Sequence, residues 1–334
     1  RNSHEKLHPA SMTKMMTMLL IIESVEKGII NLDDMVTVSS NASSMGGSQI
    51  LLETGEKMSV NDLLKGIAVA SGNDAAVAMA EKIGGTEEAF VAMMNERAKE
   101  LGLNDTNFKN VHGLDDVNHY SSAYDMAMIA KELVKHPKIL EFTSIYEDYL
   151  RKGTDRAFWL VNTNKLVRFY DGVDGLKTGY TSEAGHCLTA TANIDGMRII
   201  AVVMGEPDSN TRSSEVSSIF DYVYAQYALD KVVTKDTDLG EYDVDKGKVN
   251  KIKVAPIEDV TILHKKAEKM DNVTYDIEVD KLIAPINIGN LIGKLTLKQN
   301  GVVIKSVPLT VSENVSKANI FEVFWKNLKD TLSI

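Results

Sequence analysis

Ser11 is followed three positions later by Lys14, in the run Ser11-Met12-Thr13-Lys14, and farther along the chain come Ser71-Gly72-Asn73 and Lys177-Thr178-Gly179. A serine hydroxyl is a weak nucleophile until a neighbouring base takes its proton. On a helix, residues three apart share a face with Cβ atoms about 5–6 Å apart, so Lys14 reaches the Ser11 hydroxyl. A lysine serves as that base when burial and a second cation depress its pKa, and Lys177 is the candidate cation. Ser71 would pass the proton to a leaving amine and Asn73 would hold a substrate amide. Lys177-Thr178-Gly179 falls in a strand-like segment, where a glycine lets a substrate backbone approach closely and pair along the edge.

Short patterns recur by chance. Ser-x-x-Lys also occurs at Ser3/Lys6 and Ser24/Lys27, and Ser-x-Asn at Ser39/Asn41 and Ser312/Asn314, whereas Lys-Thr-Gly occurs once. Only Ser11 opens an apolar helix, where free backbone N–H groups and the positive dipole end favour a developing oxyanion. A His-Glu-x-x-His zinc helix, a Gly-x-Ser-x-Gly elbow and a phosphate-cradling Lys loop are absent. The single cysteine, Cys187, excludes a disulfide framework and a cysteine zinc cluster. A net charge of -10 offers no broad attraction to nucleic acid, so an anionic substrate must be met by a local cation. No cofactor or metal is expected, and His112 and His186 read as structural.

These residues need elements to hold them. Residues 11–28 read as a helix with a thick apolar face, 59–83 as a second and 86–101 as a third. Strands follow at 175–181, 186–193 and 197–205, the last two joined by an Asp195-Gly196 turn, and a helix runs from about 213 to 227. Beyond Leu229 the texture becomes short alternating strands, clearest at 273–279, with a hairpin at Asn300-Gly301. From Lys317 onward helical spacing returns, with Phe321, Phe324, Trp325 and Leu328 on one face. No segment approaches the roughly 18 unbroken apolar residues of a spanning helix, and no leader is recognisable. The expected layout is an α/β or α+β catalytic domain with an antiparallel sheet over 1–228, an all-β domain over 229–314 and an amphipathic segment over 315–334.

In order and spacing the three motifs match those of serine β-lactamases and penicillin-binding proteins. With Pro9-Ala10, Met45-Gly46-Gly47-Ser48, Asp74-Ala75, His112-Gly113-Leu114, Asp174-Gly175-Leu176, Tyr180-Thr181 and Ala184-Gly185, nearly the whole chain resembles the low-molecular-weight penicillin-binding proteins of the D-alanyl-D-alanine carboxypeptidase family. That resemblance implies a β-lactamase/transpeptidase-like catalytic domain, a small β-domain and a terminal helix lying on the outer face of the bacterial cytoplasmic membrane. It implies hydrolysis of peptidoglycan stem peptides ending in D-Ala-D-Ala, and acylation by β-lactams. Ser11 would be the nucleophile, Lys14 the base and Ser71 the proton shuttle, with backbone N–H groups of Ser11 and Tyr180 as the oxyanion hole. Lys177, Thr178, Gly179 and Arg212 would meet the substrate and its carboxylate. Family members usually carry a strand or two ahead of the nucleophile, whereas ten residues precede Ser11 here. The competing readings are a class A-like β-lactamase, for which Glu100-Leu101-Gly102-Leu103-Asn104 has the right spacing, and a non-catalytic wall-binding scaffold.

Overall fold

The segment Lys14–Glu26 is apolar on every side and forms an α-helix in which every residue from Lys14 to Ser24 is buried. A helix of that kind belongs in the middle of a core. The computed structural model describes residues 1–268, 270–319 and 322, in two units divided between Val223 and Tyr224. Where a helix beginning at Ser11 was expected, Ala10–Thr13 instead forms a 3-10 turn that leads straight into the α-helix at Lys14. The tighter turn eclipses residues three apart, so it stacks Lys14 over Ser11 more closely than an α-helix does.

The helix expected over 59–83 is two helices, Val60–Ala70 and Asn73–Gly84. The break falls at Ser71, whose φ of 63° is left-handed. Periodicity runs through such a break because both flanking segments are apolar and buried. Glu87–Glu100 forms a helix capped by the Thr86 side chain, close to its expected bounds. Strands Val173–Thr181, Gly185–Ile194 and Met197–Glu206 make an antiparallel sheet in sequence order. Asp195 and Gly196 both take positive φ, 52° and 82°, as the two-residue hairpin demands. The helix expected near Ser213 begins earlier, at Ser209, and runs to Gln226. Ahead of Ser11, Leu7 forms an isolated bridge with Ser121.

The second unit has its own core, including Val254, Leu295, Leu297, Val307 and Leu309. Its six-stranded sheet runs in the order Val273–Val279, Gly293–Gln299, Val302–Val311, Lys251–Pro256, Glu241–Asp245 and Leu282–Ile283. Tyr227–Val233 and Val260–Lys265 pair separately. Val315 and Lys317 still make β-bridges, with Ile286 and Gly247. The expected terminal helix face, Phe321, Phe324, Trp325 and Leu328, lies outside the described residues.

The first unit holds its 3-10 turn in place by close backbone approach. Gly113 has φ +90°, and a Cβ built there would lie 1.8 Å from the Ala10 carbonyl oxygen. Gly113→Ala is therefore expected to cost more than about 2 kcal/mol, a fall in Tm of roughly 4–8 °C for a domain of this size. Thermal unfolding by circular dichroism checks this, and an unchanged midpoint contradicts it.

Candidate active site

Lys14 is fully buried, and among the described residues no carboxylate lies within ion-pair distance of it. Its Nζ is 2.9 Å from Ser11 Oγ, 2.6 Å from Asn73 Oδ1 and 2.7 Å from the His112 carbonyl oxygen. Two of those neighbours can only accept. Asn73 is held in that orientation because its Nδ2 donates to the Gly46 carbonyl at 2.7 Å. The His112 carbonyl is fixed by a turn in which Asn110 Oδ1 accepts from the Gly113 N–H at 2.7 Å and Asn110 Nδ2 donates to Leu114 O at 2.9 Å. A neutral amine has two hydrogens and one lone pair, so Asn73 and His112 occupy the hydrogens. The lone pair is left facing Ser11, whose hydroxyl can donate.

The charge state follows from the surroundings. Burial is the largest effect holding the Lys14 pKa well below the ordinary lysine value of 10.5, the nearby Lys177 adds to it, and Asp74 opposes it. Asp74 does not neutralise the amine by contact, because its carboxylate accepts from the backbone N–H groups of Ile50, Leu52 and Ala75. Those bonds tie the 50–52 segment to the start of the Asn73–Gly84 helix. The Asn73 N–H donates to Ser48 O at 2.7 Å, joining the loop before it to the same helix end.

Lys177 and Thr178 lie on the strand Val173–Thr181, and the edge of that strand packs on the 3-10 turn. At Gly179 a Cβ would meet Pro9 O at 2.8 Å and Ala10 Cβ at 3.1 Å. The glycine, expected to admit a substrate backbone, also admits the chain's own nucleophile turn, and it lines the cavity described below. Lys177 is buried, and burial, followed by the charge of Arg212, brings its pKa down to about 7. Arg212, on the first turn of the Ser209–Gln226 helix, is only 6% exposed; its Nε is buried without a hydrogen-bond partner and its Nη2 has a long contact of 3.4 Å to Ser213 Oγ. A desolvated guanidinium without an anion is costly unless a ligand supplies one.

An open cavity of about 400 Å³ lies over these groups. Ser11, Ser71, Thr178, Gly179, Tyr180 and Arg212 line it, and Lys14, Asn73 and Lys177 are buried nearby, so the residues singled out from sequence converge. Ser48, Thr163, Lys165, His186, Ser209, Asn210 and Ser213 also line it without having been singled out as site residues. His186 stacks on the exposed Tyr180 ring, with centroids 4.3 Å apart. The His112 contribution is a backbone carbonyl, which side-chain identity does not announce. No Asp or Glu of the described residues lines the cavity, and Glu100 pairs instead with Arg97 at 3.0 Å.

Residues 1–208 match the D-alanyl-D-alanine carboxypeptidase family and residues 227–317 match the penicillin-binding protein 5 C-terminal domain. The chain is 50% identical over 331 residues to the D-alanyl-D-alanine carboxypeptidase DacF of Bacillus subtilis, covering 99% of this chain and 85% of the relative. It is 34% identical to DacC of Escherichia coli, covering 97% and 82%. Among solved structures it resembles penicillin-binding protein 5 of Haemophilus influenzae, with a TM-score of 0.71, 35% identity and coverage of 95% and 93%. Penicillin-binding protein D2 of Listeria monocytogenes in its ampicillin-bound form gives a TM-score of 0.59 at 30% identity, covering 66% and 88%.

Because Ser11 needs the unprotonated amine, its acylation rate should rise with pH through the Lys14 pKa. Lys177 lowers that pKa, so Lys177→Met should raise it and move the acid limb to higher pH. The limb is read from the acylation of Ser11 by an uncharged activated ester, which needs no carboxylate recognition. A limb that stays in place, or moves to lower pH, contradicts the coupling.

Proposed function

The chain belongs to the D-alanyl-D-alanine carboxypeptidase family, and on that premise we propose that it removes the terminal D-alanine from peptidoglycan stem pentapeptides through an acyl-enzyme on Ser11. The observation that carries this reading is the buried Lys14 amine, placed 2.9 Å from Ser11 Oγ and held by the Asn73 side-chain oxygen and the His112 carbonyl. Lys14 takes the hydroxyl proton as Ser11 Oγ attacks the carbonyl of the penultimate D-alanine. Backbone N–H groups of Ser11 and Tyr180 stabilise the oxyanion. As the C–N bond breaks, the proton passes by way of Ser71 to the departing amine of D-alanine. Water then attacks the ester and gives a proton to Lys14, which passes it to Ser11 Oγ as the C–O bond breaks. Asn73 orients Lys14 and the substrate amide, and Lys177, Thr178 and Arg212 receive the terminal carboxylate.

A β-lactam carries a strained amide and a carboxylate in the same relation, so it acylates Ser11 by the same first step. Deacylation differs from that of a class A-like β-lactamase, because no Asp or Glu of the described residues lines the cavity to activate water. Assembly of the full set of polar groups also favours an enzyme over a wall-binding scaffold.

A labelled penicillin should attach at one equivalent to Ser11, and Ser11→Ala should lose both the label and D-alanine release while keeping its Tm. Intact-mass and peptide mass spectrometry read this; label on another residue removes Ser11 from its role, and rapid release of penicilloic acid favours the β-lactamase reading. Arg212→Ala should cost about 1.5–3 kcal/mol in kcat/KM for a peptide acid. The C-terminal amide should lose little, and equal losses for acid and amide would take Arg212 out of carboxylate recognition.

We also propose that the terminal segment expected over 315–334 holds the protein at the outer face of the cytoplasmic membrane, through residues 320–334 because Val315 and Lys317 are engaged in β-bridges. The support is the sequence: Phe321, Phe324, Trp325 and Leu328 recur at the spacing of one helix face, with Lys326 and Lys329 beside them. Among the described residues no helix is long and apolar enough to cross a membrane. Deleting 320–334 should release the protein from anionic liposomes and leave D-alanine release from a soluble peptide unchanged; continued co-sedimentation contradicts this.

A further inference from the structure

One wall of the cavity over Ser11 comes from none of the three motifs. It is the segment 163–165, between the strand Phe158–Val161 and the short helix Leu166–Phe169, and it brings Thr163 and Lys165 to the site. The Thr163 N–H donates to Val69 O at 3.2 Å, fastening the segment to the helix that ends just before Ser71. The buried Asn164 donates through Nδ2 to Gly175 O at 3.0 Å, fastening it to the strand that carries Lys177. Fastened on both sides, the segment leaves the Thr163 and Lys165 side chains exposed at the cavity.

Each flanking side chain has a chemistry that suits an anion. In this structure Thr178 Oγ1 donates to Thr163 Oγ1 at 2.7 Å. A hydroxyl has a single proton, so while Thr178 donates to Thr163 it has none for a ligand; when Thr163 donates instead, the Thr178 proton is freed. Lys165 makes no ion pair with any described residue, and no Asp or Glu of the described residues lines this cavity. The buried Arg212 and Lys177 lie deeper in the same site. On a chain of net charge -10, whose overall field repels anions, an exposed and unpaired cation at the mouth acts on approach.

We infer that Lys165 and Thr163 are specificity residues for the substrate's terminal carboxylate: Lys165 draws it into the cavity, and Thr163 turns the Thr178 hydroxyl toward it. The inference rests on the carboxypeptidase reading, which supplies the carboxylate. The two residues act by different physics. An exposed ammonium is screened by salt, with a Debye length of about 10 Å at 0.1 M and about 3 Å at 1 M, whereas a hydrogen-bonded hydroxyl pair is not.

The test is kcat/KM for a peptide ending in D-Ala-D-Ala, as free acid and as C-terminal amide, at low and at 1 M salt. Lys165→Gln should lower the value for the acid about 3–10-fold at low salt, leave the amide unchanged and approach wild type at 1 M. Thr163→Val should lower the acid-over-amide ratio at both salt concentrations, and Thr163→Ser should restore it. Thermal midpoints near wild type separate these effects from loss of fold. If wild type releases D-alanine while both variants keep its acid-over-amide ratio, this inference falls and the carboxypeptidase reading stands. Failure of wild type to release D-alanine overturns both.

Discussion

The first unit is organised around a lysine amine held out of water with no anion of the described residues in contact. A charged ammonium in that position would carry a desolvation penalty of several kcal/mol, so the fold favours the neutral base. Most of the local architecture follows from supplying that amine with partners that cannot ionise. An amide oxygen from one helix end and a carbonyl from the 110–114 turn saturate its hydrogens, and only a hydroxyl remains for its lone pair. The neighbouring carboxylate of Asp74 is engaged by backbone N–H groups, so it steadies the site without protonating its base.

Glycines at the contact points let three backbones meet there. Gly113 admits the Ala10 carbonyl and Gly179 admits the Pro9–Ala10 turn, which brings the strand of Lys177 against the nucleophile. The 3-10 conformation of Ala10–Thr13 then eclipses Ser11 and Lys14. Lys177 has two effects: it adds to the burial that lowers the Lys14 pKa, and with Arg212 it places cationic groups where a carboxylate must lie.

The chemistry was legible in the sequence because it rests on side chains in a fixed order. Ser11 with Lys14, Ser71 with Asn73, and Lys177 come from three separate stretches of the chain, yet Ser11 and Ser71 line one cavity and the other three are buried nearby. Strand Val273–Val279 and the Asn300-Gly301 hairpin were legible for a local reason: alternation and positive-φ residues specify them without help from the rest of the fold. The single helix expected over 59–83 ran across Ser71 because burial on both sides preserves the apolar pattern through a left-handed residue, although Ser71-Gly72-Asn73 by itself reads as a polar turn. Gly179 lines the cavity as expected, but its contact with the Pro9–Ala10 turn was not announced, because a missing Cβ does not say which backbone approaches. The His112 carbonyl is supplied by a group common to every residue, and Thr163 and Lys165 belong to no pattern; only the folded chain brings them to the cavity.

The central claim is that Lys14 is a neutral base in the resting protein, and its own titration tests it most directly. With lysine labelled at the side-chain carbon, NMR follows the Cε resonance that disappears in Lys14→Arg as pH is raised. The account predicts that this resonance titrates well below 10.5, apart from the exposed lysines. A Lys14 resonance that titrates together with the exposed lysines would contradict it.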